Sequence, residues 1–308
     1  MPWRPVALVG TTASGKSALA MEVAREFGDL VLLQVDSMCV YRELDIGTAK
    51  PTRAERSEVP HRLVDLCDPA EEFSVAEFQL AARAALEEAA ASGRQALLVG
   101  GTGLYHRSVL DDLELPGRYP EVAAELATRL DREGPGALYA ELEGLDPVAA
   151  AKMTPTNARR ICRALEVCLG SGRPFSSFGA GLETYRSGAM TQVGLLYDKA
   201  RSDLAIAIRV EAFMAAGFLH EVEQLAVRPR GLSRTARQAV GYRQLLSYLD
   251  GDLDLDQTLT DTVVATTQLA RRQWAWFRRD PRVKWVDPAA GLDALRSALL
   301  DARDEVRD

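Results

Sequence analysis

Runs of apolar residues alternate with segments of helical periodicity along the first hundred positions. The apolar runs lie at 6–9, 31–35 and 96–99, and each has the length of a single strand. Strands of consecutive apolar residues are typical of a parallel sheet that helices cover on both faces. The pattern therefore predicts an α/β fold with a parallel sheet core flanked by helices.

One helix of this first part has a clear start signal. Ser74 and Glu77 have the spacing of a capping box, and the alanine-rich segment after them stays periodic as far as Gly93. The sequence predicts one long helix here.

The middle of the chain has a different pattern. Helical periodicity dominates from 118 to 188, and Gly and Pro interrupt it repeatedly. An apolar strand pattern resumes at 192–196 and returns once more at 283–286, with mostly helical segments between. We therefore expect a core made of 1–117 and 189–308, with a helical insertion domain at 118–188.

A glycine-rich segment joins the first predicted strand to the first predicted helix. It reads Gly10-Thr11-Thr12-Ala13-Ser14-Gly15-Lys16-Ser17 and fills every position of the phosphate-binding P-loop motif. Backbone N–H groups of such a loop point at an anion, and the following helix adds its dipole. Lys16 would add a positive charge, and the Ser17 hydroxyl would join the coordination shell of Mg²⁺. The motif predicts binding of a polyphosphate or a diphosphate; the alternative is a simple glycine turn.

Two further loops follow the carboxyl ends of predicted strands, where parallel α/β folds bind their ligands. One begins with Asp36 and Ser37, and the other is Gly100-Gly101-Thr102. A carboxylate at Asp36 could ligate magnesium or accept a proton from a nucleophile. The alternative for Asp36 is an ordinary capping or loop residue.

Composition places the chain among globular proteins, since 47% of its 308 residues are hydrophobic and 26% are charged. No apolar run is long enough to cross a bilayer, and no signal peptide is evident, so a cytoplasmic protein without a membrane partner is expected. The four cysteines are scattered, which argues against a zinc site and fits a reducing compartment.

The net charge of −7 argues mildly against nucleic acid as a partner, but the arginines are unevenly distributed. They form three groups: Arg159, Arg160 and Arg163; Arg228, Arg230, Arg234, Arg237 and Arg243; and Arg271, Arg272, Arg278 and Arg279. Each group could be a solvated helix face or part of a surface for phosphate backbones.

Several strings of sequence, taken in order, resemble one family. These strings are the P-loop, Asp36-Ser37 with Tyr41-Arg42, the run Asp45-Ile46-Gly47-Thr48-Ala49-Lys50-Pro51, and the segments 60–65, 99–105, 163–167 and 240–244. Together they resemble the tRNA dimethylallyltransferases, also called tRNA isopentenyltransferases. The run 45–51 is the most specific of them, because no general mechanical role would make it recur.

The resemblance implies a reaction in which a dimethylallyl group moves from dimethylallyl diphosphate to tRNA. The acceptor would be the exocyclic N6 amine of the adenosine 3′-adjacent to the anticodon, and the product N6-isopentenyladenosine. The P-loop, with Lys16, Ser17 and Mg²⁺, would hold the diphosphate leaving group. Asp36 matches the family's general base.

Two more residues match the family's reaction site. Arg209 matches an arginine that touches the diphosphate, and Thr102 matches a threonine beside the target nucleotide. A surface helix arginine and a helix N-cap are the respective alternatives. A base that must reach such a site has to leave its stack, so the enzyme would flip its target base.

The resemblance also implies contacts with the anticodon stem-loop, which the helical insertion would close over. The matching positions are Asp36, Ser37, Met38, Cys39, Thr102, Arg159, Arg160, Arg163, Arg237, Gly241, Tyr242 and Arg243. Two positions depart from the family: Cys39 stands where glutamine is usual, and Thr267 where arginine is common.

We expect a monomer. A P-loop small-molecule kinase that uses ATP is the main alternative function. A GTP-dependent switch that binds RNA is a weaker alternative, because the sequence contains no Asn-Lys-x-Asp motif.

Overall fold

The computed structural model describes residues 3–179, 181–182, 184–186, 188 and 190–305. It divides into two compact units, one formed by 1–110 with 187–308 and the other by 111–186. In chain order the helices are α1 (Lys16–Phe27), α2 (Arg53–Glu58), α3 (Val75–Ala91), α4 (Gly103–Leu110), α5 (Pro120–Leu145), α6 (Pro147–Ala150), α7 (Ala158–Ser171), α8 (Lys199–Ala215), α9 (Phe218–Ala226), α10 (Arg234–Arg237), α11 (Tyr242–Leu249), α12 (Leu255–Phe277) and α13 (Gly291–Asp304).

The first unit is built on a six-stranded parallel sheet. Its strands are β1 (Val6–Val9), β2 (Leu30–Val35), β3 (His61–Arg62), β4 (Gln95–Gly100), β5 (Thr191–Leu195) and β6 (Val283–Val286). They lie in the order β3-β2-β4-β1-β5-β6, and every neighbouring pair is parallel. The predicted parallel α/β core is confirmed. Strand β3 was not expected, because two residues leave no apolar run.

Alternate residues of the central strands feed two separate cores, one on each face of the sheet. Ala7 and Leu33 pack with α3, α4, α9 and α11, whereas Leu8 and Leu32 pack with α1 and α13. Successive side chains of a strand point to opposite faces, so a strand buried on both sides must be apolar throughout. Each such Leu or Val contributes roughly 1.5–3 kcal/mol through its burial.

The long helix α3 begins at the predicted capping box. The Ser74 hydroxyl accepts from the backbone N–H of Glu77 at 3.2 Å, and the Glu77 carboxylate accepts from the N–H of Ser74 at 2.7 Å. Two N–H groups of the helix start are therefore paired.

The second unit consists of α5, α6 and α7 around a small core of its own. Leu126, Leu138 and Leu165 are fully buried in this core. Gly134 interrupts α5 with a φ of 76°, a left-handed conformation that glycine adopts without strain. The helical pattern predicted for this part of the chain is observed. The bounds 118 and 188 and the tRNA contact of the insertion remain predictions, and positions 180, 183 and 187 lie outside the described residues.

No helix in the described ranges combines the length and the apolar character that crossing a bilayer requires.

Candidate functional site

The P-loop lies between β1 and α1, as the sequence predicts. Gly15 precedes α1 with a φ of 88°, and no side chain caps the first turn of the helix. The N–H groups of this turn are therefore free of a side-chain acceptor, as an anion site at a helix N-terminus requires. At Gly10 a Cβ atom would lie 2.9 Å from the Ser14 hydroxyl, so glycine lets the loop close on itself.

Two cations approach this loop from different elements. Lys16 Nζ donates to the carbonyl of Thr11 at 3.0 Å, and the Arg209 guanidinium on α8 donates to the Thr12 hydroxyl at 3.4 Å. Burial, and next the charge of Arg209, lower the pKa of Lys16 to about 8, while Asp36 acts in the opposite direction. Burial also lowers the pKa of Arg209. Two like charges held together at this cost indicate a site for an anion.

Asp36 and Thr102 lie at the carboxyl ends of the neighbouring strands β2 and β4. Asp36 Oδ1 accepts from the N–H groups of Met38 at 2.8 Å and Cys39 at 3.3 Å. The Thr102 hydroxyl accepts from the N–H of Ser37 at 3.1 Å, so it joins the two strand-end loops. Its carbonyl accepts from the first turn of α4, but its side chain is committed to Ser37 rather than to capping. The structure thus brings the P-loop, Asp36, Thr102 and Arg209 together at one edge of the sheet.

The run 45–51 has a mechanical role that the sequence alone did not show. Lys50 is fully buried, and its ammonium group donates to the carbonyl of Tyr41 at 2.6 Å, to Asp45 at 2.6 Å and to Asp65 at 2.7 Å. A Cβ atom on Gly47 would lie only 2.3 Å from the Phe218 ring. These contacts fix the loop that carries Asp36.

Glu221 on α9 fixes the same loop from its other side. Its carboxylate accepts from the backbone N–H groups of Asp45 at 3.2 Å and Ile46 at 2.8 Å. It also accepts from the N–H of Gly47 at 3.5 Å and from the Tyr242 hydroxyl at 2.5 Å. Charge-assisted bonds of this kind are about twice as strong as neutral ones. The run 45–51 is thus held by Lys50 on one side and by Glu221 on the other.

Gln273 on α12 is a site residue that the sequence analysis did not identify. Its Oε1 accepts from the N–H of Thr12 at 2.7 Å, across 261 positions of sequence. Its amide also lies over Gly101, where a Cβ atom would be 2.5 Å from Nε2. A lone glutamine in a helix carries no local signal, so only the folded chain reveals this contact.

The expected tRNA-binding residues occupy different environments. Arg159 and Arg160 are exposed in the first turn of α7, whereas the Arg163 guanidinium donates to the carbonyls of Pro116 and Gly117. It also forms an ion pair with Glu166 at 2.7 Å. Arg163 therefore shapes the second unit itself.

On the first unit, Arg237 and Arg243 are exposed. Tyr242, between them in sequence, is fully buried, and its hydroxyl donates to Glu221. In this conformation its side chain packs beneath the surface and is not exposed to a ligand. Gly241 has a φ of 89°, which lets the chain turn into α11.

The remaining arginines divide into paired and unpaired ones. Arg228 forms ion pairs with Glu43 and Asp68, and Arg230 pairs with Glu71 at 3.1 Å. In the described part of the chain no ion pair is found for the following exposed arginines: Arg234, Arg271, Arg272, Arg278 and Arg279.

Cys39, where the family usually has glutamine, is buried beside the site. Its thiol donates to the carbonyl of Thr48 at 3.6 Å, and burial raises its pKa. It is therefore a neutral thiol that links the two ends of the Asp36 loop. Thr267, the second departure, is partly exposed on α12.

The side chains at the P-loop would supply only part of the coordination shell of a magnesium ion. Ser17 and Asp36 supply a hydroxyl and a carboxylate, and no group of three or more His, Cys, Asp or Glu side chains that could hold a metal occurs in the described ranges. Mg²⁺ usually takes one or two protein ligands and completes its shell with water and substrate phosphates. The residues present fit a metal that binds together with a diphosphate.

The chain matches known proteins over nearly its whole length. The family model described as IPP transferase matches residues 39–280. A protein of Salinispora arenicola named tRNA dimethylallyltransferase is 46% identical over 97% of this chain and 87% of its own length. One of Streptomyces coelicolor with the same name is 46% identical over 92% and 90%.

Solved structures agree with this match. The tRNA isopentenylpyrophosphate transferase of Bacillus halodurans has a TM-score of 0.70 and 32% identity, over 99% of this chain and 98% of that one. A eukaryotic dimethylallyltransferase solved while acting on tRNA has a TM-score of 0.76 at 22% identity, over 96% and 77%, and it supports the fold alone. The chain therefore belongs to the IPP transferase family.

Proposed function

We propose that this protein transfers a dimethylallyl group from dimethylallyl diphosphate to the N6 amine of the adenosine 3′-adjacent to the anticodon in tRNA. The observation that carries this proposal is the shared edge of the sheet, where a cationic P-loop lies beside Asp36 and Thr102. A leaving diphosphate and a proton acceptor are the two things that this reaction needs in one place.

The reaction replaces one bond at carbon 1 of the dimethylallyl group. The N6 lone pair forms a bond to this carbon as its bond to the diphosphate oxygen breaks. Lys16 and Arg209 stabilise the negative charge that develops on the departing oxygens. The N6 proton passes to Asp36; because Oδ1 accepts two backbone N–H groups, we assign the proton to Oδ2.

Mg²⁺, when bound, would supply further charge neutralisation for the diphosphate. Ser17 would be its protein ligand, and Asp36 would orient water around it. The N–H groups at the start of α1 would bind the same anion.

The tRNA anticodon stem-loop would bind along exposed arginines and present a flipped adenosine to Thr102 and Asp36. Arg237, Arg243, Arg271 and Arg272 on the first unit, and Arg159 and Arg160 on the second, are the residues that we assign to phosphate contacts. A monomer acting in the cytoplasm, where tRNA is found, completes the proposal.

A P-loop kinase is not favoured, since the curated relatives that match over most of the chain are named tRNA dimethylallyltransferases. The two functions differ in the bond that breaks: a kinase cleaves the bond between phosphorus and oxygen, whereas the transferase cleaves the bond between carbon and oxygen.

One assay tests the proposal. The protein is incubated with Mg²⁺, anticodon stem-loop RNA and dimethylallyl diphosphate labelled in the dimethylallyl group, and the RNA is digested to nucleosides. We expect label in N6-isopentenyladenosine without added ATP, and none when the target adenosine is replaced by guanosine. Label that requires ATP, or RNA that stays unlabelled, would refute the proposal.

A further inference from the structure

Helix α12 contacts both strand-end loops of the site through one face. Gln273 and Trp276 are three positions apart, so they lie on the same side of the helix. Gln273 lies over Gly101, and Trp276 lies over Gly103, where a Cβ atom would be 2.1 Å from the indole ring. Gly101 and Gly103 flank Thr102, so α12 contacts the chain on both sides of this threonine.

The same helix reaches the P-loop. Gln273 Oε1 accepts the Thr12 N–H at 2.7 Å, while Arg209 donates to the hydroxyl of Thr12 at 3.4 Å. Thr12 is thus held by its backbone from α12 and by its side chain from α8, two helices that pack against each other. Because the N–H of Thr12 is bonded to Gln273, it does not point at an anion. An anion would therefore be bound by the N–H groups that follow Thr12 in the loop.

We infer that Gln273 is a positioning residue that sets the conformation of the P-loop and aligns it with Thr102. It is the one carboxamide described here that touches both the anion loop and the loop after β4. This inference rests on the proposed function for its kinetic consequence, but its effect on anion binding does not.

Two substitutions separate positioning from mere support of the fold. Gln273→Glu keeps an acceptor for the Thr12 N–H but places a negative charge beside the anion. Gln273→Leu has a similar size and removes the acceptor, which leaves the partly buried N–H of Thr12 without its partner. Gln268→Glu, an exposed position on the same helix, adds the same charge away from the site and is the matched control.

The experiment measures the Kd of inorganic diphosphate with Mg²⁺ by calorimetry, the melting temperature, and KM for donor and RNA separately. We expect Gln273→Glu to keep the wild-type melting temperature and to weaken diphosphate binding ~10-fold or more. Gln273→Leu should raise the donor KM ~10-fold while the RNA KM stays within about twofold. Gln268→Glu should match the wild type in melting temperature, diphosphate Kd and donor KM.

Diphosphate affinity and donor KM within twofold of the wild type in both Gln273 variants would overturn the inference. The same titrations are run with ATP. If the wild-type protein bound ATP but not diphosphate, the proposed function would fail, and the effect of the variants on ATP affinity would still decide the role of Gln273.

Discussion

The carboxylate of Asp36 accepts both of its backbone hydrogen bonds, from Met38 and Cys39, on the same oxygen. Such an arrangement is common in turns and needs no further role. Here, however, it orients the second oxygen of a residue that lies at the end of β2, beside a phosphate-binding loop. In the proposed reaction Asp36 would combine this structural contact with the role of proton acceptor, and a substitution can separate the two.

Asp36→Asn keeps an oxygen for the two N–H groups but removes the proton acceptor. We expect the transfer rate to fall by a factor of 10²–10⁴, as is usual when a general base is lost, while RNA affinity stays within about threefold. Single-turnover kinetics and filter binding measure the two quantities. A parallel loss of RNA binding would show that Asp36 is structural only.

Lys16 gives a prediction about pH. Its pKa of about 8 is lowered by burial and by Arg209, so the ammonium form is lost as the pH rises through 8. A bound anion favours the charged form and raises this pKa. We expect donor affinity to fall above pH 8, and binding at pH 8 to take up about half a proton.

Calorimetry in two buffers of different ionisation enthalpy measures this proton uptake. Lys16→Arg is the control, because a guanidinium stays charged throughout the range. Equal pH profiles for the wild type and this variant would assign the effect to another group.

At the scale of elements, the loop from Asp36 to Lys50 has turns and one isolated β-bridge, between Tyr41 and Cys67, and side chains from other elements hold it. The buried Lys50 ammonium group bonds to Asp65, which ties the end of the loop to another part of the chain. The Glu221 carboxylate accepts hydrogen bonds from three backbone N–H groups of the loop. Gly47 is the point of closest approach, between the rings of Phe218 and Tyr242. The loop is therefore sensitive to a single added carbon.

Gly47→Ala would force this carbon to within 2.3 Å of the Phe218 ring and 2.6 Å of the Tyr242 ring. We expect a loss of about 2–4 kcal/mol in the free energy of unfolding, measured with urea, together with lower transfer activity. Gly144→Ala is the matched control, because a Cβ atom there meets nothing within 4 Å. Equal stability of the two variants would show that the loop accommodates the carbon.

The elements that the sequence predicts correctly are those with local signals. Apolar runs located β1, β2 and β4, and the Ser74 capping box located α3, because these patterns span only a few neighbouring residues. The hydrogen bonds of Glu221 to the backbone of 45–47 and of Gln273 to Thr12 join residues more than 170 positions apart, and no local pattern encodes them. The sequence predicted the positions of the P-loop and Asp36 from the strands that precede them. It did not predict that α8, α9 and α12 would contact these loops.

At the scale of the whole molecule, an acidic protein presents a set of exposed arginines for which the described residues show no carboxylate partner. Arg228 and Arg230 are neutralised by acids, but Arg271 and Arg272 on α12 are exposed. An RNA surface on this protein would therefore be local, and the rest of the molecule would repel the polyanion.

Salt dependence tests this surface. We expect RNA affinity to fall steeply with salt, and replacement of both Arg271 and Arg272 by Gln to reduce the slope of log K against log[salt] by about 1.5. Arg25→Gln is the control, because Arg25 is already paired with Glu58 at 2.6 Å. A slope unchanged by the double substitution would remove α12 from the RNA surface.

The order of the strands has a consequence for folding during synthesis. Strand β1 is the central strand between β4 and β5, yet β5 follows it by about 180 residues, and α13 covers the same face later still. The backbone N–H of Arg4 bonds to the carbonyl of Ala302, and Gln95 bonds to that of Leu299. A nascent chain on the ribosome thus leaves one edge of β1 unpaired until β5 (Thr191–Leu195) has emerged. During that time a chaperone that binds unpaired strands would have the exposed edge of β1 as a binding site.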